Sequence, residues 1–332
     1  MLRLLCLGIG LFVLAGLIRK IGWEALQEQI NSLGWQFLPI LSLGFGWYVC
    51  YTFAWRQCLT QQKNFIPFWA LFRAKICGET VNVMTPANFL GGDTMRIYLL
   101  RNVSNINTTS LTASVVVDRT INSIAIVAVI FLGAATAFLT LPSMPDQIKI
   151  GAPIFLILSS GMILFFFLRQ QKGLFSSILR LAKKLHIASH WIEKHFAKAE
   201  ELDEKVLTTY QQSHSVFWIT LFFHIMGRLL GVVEVYWIGK TITPLFTLHV
   251  ALLLATLAPI INAAFTFIPG ALGVMEGAYS GALYLLGLNP AIGLTIQIIK
   301  RIRAGFWMAL GLVFIYFFKK TNETSSAVDI SI

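Results

Sequence analysis

Long apolar runs separated by short polar breaks dominate this chain. A helix needs about 20 mostly apolar residues to cross the roughly 30 Å hydrocarbon core of a bilayer. Most of the runs approach or exceed that length, and aromatic residues flank several of them. The pattern predicts an all-α, polytopic transmembrane helical bundle with seven or eight crossings. The runs cover residues 4–18, 37–55, 111–141, 150–168, 216–238, 245–267 and 291–318.

Two stretches, 78–96 and 267–277, break this pattern with glycine, proline and polar residues. Irregular backbone at membrane depth is tolerated only where protein or a water-filled cavity covers it. We therefore expect one or two re-entrant or broken helices that line a cavity. An acid follows a proline by seven residues in both stretches, which suggests an internal repeat. The residues predicted to shape the broken backbone are Pro86, Gly91, Gly92, Pro269, Gly270 and Gly273.

The composition excludes a soluble protein with an unusually large core. Only 12% of the 332 residues are charged and 56% are hydrophobic, with a mean hydropathy of +0.72. A soluble domain carries about 25% charged residues. The net charge of +11 fits basic loops facing anionic lipid better than a nucleic-acid partner. We expect one integral membrane domain over residues 1–320 and a short polar tail over 321–332.

The segment 169–213 is the only long polar connection. It holds eight Lys/Arg and five Asp/Glu, and apolar residues recur at helical spacing from Leu174 to Leu185 beside Arg180 and Lys184. This predicts a cytoplasmic, amphipathic loop at the membrane surface. By the excess of basic residues in cytoplasmic loops, the N-terminus is also inside if residues 65–100 re-enter the membrane. The side of the C-terminus depends on whether 269–288 crosses or re-enters.

Charged residues within the apolar runs are the candidate functional groups. One charge at the bilayer centre costs at least about 2.5–3.5 kcal/mol on insertion scales, so these residues must pair, reach the interface or line a cavity. Basic residues outnumber acids among them, which favours a phosphate ligand. The predicted headgroup-binding residues are Arg96, Arg119, Arg228, Arg301 and Arg303. The predicted acidic and polar cavity residues are Glu79, Asn82, Asp93, Asp118, Glu234 and Glu276.

Each of these assignments has a plainer alternative. Asp93 and Arg96 are spaced to pair on one helix face. Arg119 could reach the interface, and Arg301, with Lys300, could anchor the last helix by the positive-inside rule. Glu276 could be an ordinary acid in the first turn of a helix. We expect no metal and no cofactor: His186, His190 and Glu193 have ligand spacing but fit a solvated helix face, and no catalytic motif is present.

Several motifs resemble the lysylphosphatidylglycerol synthase transmembrane-region family, also called flippase-like. The segment from Pro86 to Arg96 carries its Gly-Gly-Asp element with an arginine three residues later. Val117–Ile121 looks like its Asp-Arg element, and Ile268–Gly277 is similar to its Pro-Gly-Gly-Leu-Gly-Val-Arg-Glu-Gly element. Arg228 to Glu234 and Arg301 to Arg303 match later elements in order. The lead-in Gly78–Asn82 looks most like the hopanoid-associated branch.

The resemblance implies a multi-pass protein of the bacterial inner membrane. Met275 stands where the family often has arginine. We expect the chain to lack the soluble aminoacyl-transfer domain of the full synthase, so lysine transfer is not implied. The implied function is binding or translocation of an anionic or amphipathic lipid: a phospholipid, an aminoacylated lipid or a hopanoid. Two other hypotheses stay open. The chain could be an intramembrane lipid-modifying transferase, or an accessory subunit that docks lipid-biosynthesis enzymes through 169–213.

Overall fold

The computed structural model describes residues 33–59, 66–84, 90–101, 106–140, 146–184, 189–211, 214–265, 271 and 273–328. Within these ranges the chain forms eleven α-helices, and a 3-10 turn precedes the first. The all-α prediction is confirmed. The helices are α1 (Phe37–Cys58), α2 (Phe68–Met84), α3 (Leu90–Arg101), α4 (Thr108–Thr140), α5 (Asp146–Gln170), α6 (Leu174–Lys184), α7 (Ser189–Gln211), α8 (His214–Ile242), α9 (Leu248–Ala264), α10 (Val274–Leu285) and α11 (Ala291–Val328).

Three segments are long and apolar enough to cross a membrane: Gly34–Cys58, Thr108–Thr136 and His214–Ile242. Two shorter apolar helices, Leu156–Gln170 and Leu248–Ala264, add to them. The described part of the chain is thus a multi-pass helical bundle. The first apolar run, 4–18, lies outside the described residues, and the total of seven or eight crossings stays a prediction.

Within segment 169–213, the described residues form two helices, α6 and α7. Asp203 of α7 accepts hydrogen bonds from the backbone N–H groups of Phe175 (3.0 Å) and Ser176 (2.8 Å) at the start of α6. Asn107, just before α4, donates to Glu201 of α7 at 3.0 Å. The α6–α7 pair therefore lies at the end of the bundle where α4 and α8 begin. We call this end the loop side.

Helices α1 and α8 pack against each other in antiparallel orientation. The Cys58 sulfur lies 3.8 Å from the Thr220 hydroxyl, while further along α1 the Gly46 Cα faces Leu230. Gly227 allows close approach, because a Cβ there would lie 2.5 Å from the Tyr51 ring. The loop-side end of α1 thus meets the beginning of α8.

Helices α2 and α3 form a tight antiparallel hairpin next to α1. A Cβ on Gly92 would lie 2.1 Å from the Gly78 carbonyl oxygen, so only glycine permits this contact. The ring of Phe68, at the start of α2, lies 4.6 Å from Phe53 near the loop-side end of α1. The two helices are about 25 Å and 18 Å long at 1.5 Å per residue. Both are shorter than the roughly 30 Å apolar core of a bilayer.

This hairpin corrects the predicted broken backbone. Gly91 and Gly92 lie inside α3, and the polar residues from Glu79 to Asn82 lie inside α2, so the backbone there is regular. Residues 85–89, which include Pro86, lie outside the described residues. Asp118 and Arg119 lie inside one continuous helix, because α4 runs from Thr108 to Thr140.

A second hairpin, α9–α10, stands at the opposite end. Helix α9 starts beyond the end of α8, where Phe246 packs on Gly239, and it runs back beside α4, where Thr256 faces Gly133. Gly273, with φ of 87°, precedes α10, so this predicted break residue has non-helical backbone. Pro269 and Gly270 lie outside the described residues.

Helix α11 begins at the same opposite end and returns to the loop side. Gly293 packs against the backbone of Ser280 in α10, and Phe318 lies beside Arg73 of α2. Residues 321–328 of the predicted polar tail continue this helix.

Units α1–α4 and α8–α11 therefore repeat one order of elements in opposite orientations. Each has a long helix, a short hairpin and another long helix. The hairpin of the first unit starts at the loop side, and that of the second unit starts at the opposite side.

Candidate functional site

Asp118 on α4 is the centre of a buried ionic network. It is 1% exposed and lies 3.5 Å from the Lys75 ammonium, 3.3 Å from the Arg96 guanidinium and 2.9 Å from His224 Nε2. These partners come from α2, α3 and α8, so four helices meet at one carboxylate. We call Lys75, Arg96, Asp118 and His224 the inner network.

Arg96 is enclosed on every side. The side chain is fully buried, and it pairs with Asp93 as well as with Asp118. Its guanidinium lies 4.7 Å from the ring centre of Trp55, a cation–π contact. The Trp55 indole in turn donates to Ser114 of α4 at 3.2 Å. Arg96 therefore holds α3 to α1 and α4.

A more accessible set of charges adjoins the inner network. Arg119 donates from Nε to Asp93 Oδ2 at 2.9 Å and from a terminal nitrogen to Asp93 Oδ1 at 2.8 Å, a bidentate pair. Glu79 lies 3.7 Å from the same guanidinium. The exposed fractions are 29% for Arg119, 27% for Glu79 and 19% for Asp93. We call these three residues the outer network.

Asn82 ties the outer network to the glycine contact between α2 and α3. Its Nδ2 donates to Glu79 at 3.4 Å, and its Oδ1 accepts from the Gly92 backbone N–H at 2.9 Å. This predicted cavity residue therefore fixes the hairpin and positions a carboxylate at once.

Arg228 differs from the other arginines. Its guanidinium donates to Asn122 at 3.1 Å, and it has no carboxylate partner among the described residues. Asn122 lies one turn after Asp118 on α4, as Arg228 lies one turn after His224 on α8. The two parallel helices thus face each other through two polar contacts, one charged and one amide-based. Arg228 is the cation of this region whose charge no described acid neutralises.

A second cluster lies where α8, α10 and α11 meet. Arg301 donates to Glu276 at 2.5 Å, and Arg303 donates to Glu234 at 2.8 Å. Lys300 donates to the Tyr279 hydroxyl at 3.3 Å. Glu276 also accepts from the Gly273 backbone N–H at 2.8 Å, so it caps the start of α10. Glu276 is therefore an acid in the first turn of a helix, as the sequence also allowed, and it is the ion-pair partner of Arg301.

Aromatic rings on α1 connect the inner network to the second cluster. The Tyr51 ring lies 5.4 Å from the His224 ring and 5.4 Å from the Trp47 ring. The Arg303 guanidinium then lies 5.6 Å from the Trp47 ring centre. One face of α1 therefore spans both sets of charges.

Most of the cations predicted from sequence have a carboxylate partner in the structure. Arg96 and Asp93 pair along α3, as the plainer alternative predicted. Arg119 pairs with Asp93 of α3. Counting Lys75, Arg96 and Arg119 against Glu79, Asp93 and Asp118 gives three charges of each sign, so the predicted cationic excess here comes from Arg228.

Sequence reasoning missed two parts of the site. Lys75 stands four residues before Glu79 in an aromatic stretch, and that spacing was the available signal for a shared helix face. Asn122 carried no signal beyond its place one turn after Asp118.

The described residues contain no group of three or more metal-ligating side chains. His186 lies outside them.

The fold and the site are those of a multi-pass helical membrane protein with an ionic network buried between its helices. The sequence matches the family model of the lysylphosphatidylglycerol synthase transmembrane region over residues 3–312, so the chain belongs to this family. No curated protein and no solved structure matches it. The membership makes it a membrane protein related to lipids and confirms the family predicted from the motifs.

Proposed function

We propose that this protein binds an anionic or amphipathic lipid and moves it between the two leaflets of the bacterial inner membrane. The ligand classes are a phospholipid, an aminoacylated lipid or a hopanoid. The proposal rests on one observation: the charged network between the membrane helices is fully buried at Asp118 and partly exposed at Arg119. A headgroup can reach the exposed part without dismantling the buried part.

The chemistry of the exposed part suits a phosphate. Arg119 already holds a bidentate anion, Asp93, and a phosphate oxygen pair has the same geometry. Arg228 supplies a further cation without a carboxylate to displace. A headgroup would exchange one anion for another, and this limits the cost of desolvating the arginine.

The short hairpins support movement as well as binding. We propose that α2–α3 and α9–α10 re-enter the membrane from opposite sides, because each contains helices too short to span it. Transporters of several kinds place their sites at such inverted, interrupted helices.

Arg228→Gln is the sharpest test of the phosphate role. It removes a cation that has no described carboxylate partner, so no buried acid is left unpaired. The matched control is Arg180→Gln, which removes the same charge from a side chain that is 65% exposed on α6. The assay is leaflet exchange of fluorescent phosphatidylglycerol in proteoliposomes, with insertion checked by size-exclusion chromatography before reconstitution.

We expect wild type and Arg180→Gln to exchange the lipid at equal rates. Arg228→Gln should be slower by at least about tenfold, since a hydrogen bond to a charged group contributes about 1.5–3 kcal/mol. Equal rates for all three proteins would contradict the phosphate role. Failure of the wild type to exchange any lipid would favour the two alternatives. A modified lipid formed in detergent would support a transferase, and dependence on the α6–α7 charges would support an accessory subunit.

A further inference from the structure

Three buried polar atoms in or beside the second cluster lack hydrogen-bond partners within the part of the chain that the structure describes. They are Glu234 Oε1, Arg303 Nε and Trp307 Nε1. Buried polar atoms in proteins nearly always have a hydrogen-bond partner. Three unmet atoms on two neighbouring helices therefore indicate a place that a polar ligand completes.

These atoms lie close together. Glu234 Oε1 belongs to the carboxylate that Arg303 holds at 2.8 Å through its other oxygen. Trp307 Nε1 and Arg303 Cδ lie 2.7 Å and 3.4 Å from the point that a Cβ on Gly44 would occupy. A Cβ there would clash with the indole, so Gly44 lets Trp307 and Arg303 pack directly against the α1 backbone. The site is enclosed by α1, α8 and α11.

The chemistry of the site selects its ligand. It offers one acceptor and two donors, while the paired charges of Glu234 and Arg303 cancel. A phosphate would face the carboxylate, and an ammonium group would meet Arg303, which already lies over the Trp47 ring. A hydroxyl group both donates and accepts, and it carries no charge to desolvate. The indoles of Trp47 and Trp307 add apolar surface for the carbons of such a group.

We propose that this site binds a neutral, hydroxylated headgroup, such as the glycerol or sugar of a membrane lipid. The proposal rests on the proposed function in that its ligand is a lipid. It assigns the hydroxyl groups to Glu234, Arg303 and Trp307, separate from the phosphate chemistry of the outer network.

The test compares pairs of lipids in which one member has a headgroup with more hydroxyl groups than the other, bound to purified protein in detergent and counted by native mass spectrometry. One pair is phosphatidylglycerol and phosphatidylpropanol. The other pair is glucosyl diacylglycerol and diacylglycerol, which carry no phosphate. We expect wild type to prefer the hydroxylated member of at least one pair by about three- to tenfold, the effect of one or two net hydrogen bonds. The pair that discriminates tells glycerol from sugar.

Trp307→Phe removes one donor and keeps an aromatic ring, so it should reduce the preference toward unity. Trp218→Phe is the matched control, because Trp218 is 63% exposed on α8. Equal binding of both members of both pairs by wild type would overturn the proposal, and so would full preference in a folded Trp307→Phe. The comparison of hydroxylated and non-hydroxylated lipids on the wild type tests the proposal even if the variant does not fold. Binding in detergent does not require lipid movement between leaflets. A protein that binds hydroxylated lipids here but does not exchange lipids in proteoliposomes would contradict only the proposed function.

Discussion

Replacement of Asp118 by asparagine should damage the fold more than any other single loss of charge in the inner network. The side chain keeps its size but loses the negative charge that Lys75 and Arg96 share. These two cations are 3% and 0% exposed, so water cannot replace the lost carboxylate. Asp93 stays as a partner of Arg96, but Arg119 already engages it.

The magnitude follows from the burial of both partners. Removing one member of a buried ion pair costs about 3–5 kcal/mol, mainly through the charge left behind. By contrast, Glu200→Gln removes a carboxylate that is 52% exposed and lies 3.5 Å from Arg180. An exposed pair of this kind contributes about 0–1 kcal/mol. The two substitutions therefore differ severalfold in expected cost for the same chemical change.

The assay is reversible unfolding in mixed detergent with increasing dodecyl sulfate, followed by circular dichroism. We expect Asp118→Asn to lose about 3–5 kcal/mol and Glu200→Gln less than about 1 kcal/mol. Adding Lys75→Met to Asp118→Asn should recover part of the loss, because one unpaired cation is removed. An Asp118→Asn protein as stable as Glu200→Gln would refute the reasoning that the network is buried and mutually neutralised.

Two further predictions concern packing and capping. Gly92→Ala should prevent formation of the α2–α3 hairpin, because its Cβ would lie 2.1 Å from the Gly78 carbonyl oxygen, whereas Gly231→Ala meets nothing within 4 Å. The yield of monodisperse protein on size exclusion measures both, and equal yields would contradict the close contact. Asp203→Ala should cost about 0.5–2 kcal/mol, as removal of a helix cap does, and should speed hydrogen exchange at Ser176. Unchanged exchange there would contradict a protective role for the hydrogen bond to Asp203.

The class of fold was predictable because bilayer thickness imposes long apolar helices on any chain that crosses it. The hairpins were harder to predict. Glycine signals broken backbone in a sequence, yet Gly92 serves helix-to-helix contact inside α3. Period and composition cannot distinguish a glycine that breaks a helix from one that lets two helices touch.

Most of the charged residues were found from sequence, but only the pairing of Asp93 with Arg96 was foreseen. Arg119 and Asp93 are 26 residues apart, and Arg303 and Glu234 are 69 apart. Nothing local indicates these partners, because they depend on which helices pack together. The expected surplus of cations was an inference from counting, and the structure replaces it with a neutral network and one arginine, Arg228, that binds only an amide.

The opposite orientation of α1–α4 and α8–α11 has a consequence for energetics. A half-turn about an axis in the membrane plane brings one unit onto the orientation of the other. The scaffold therefore presents the same order of elements to either leaflet. Under the proposed function, a motion that exposes one hairpin would have a counterpart that exposes the other. The scaffold itself would then give lipid movement no direction. Direction would have to come from the lipid composition of the two leaflets or from a coupled ion gradient.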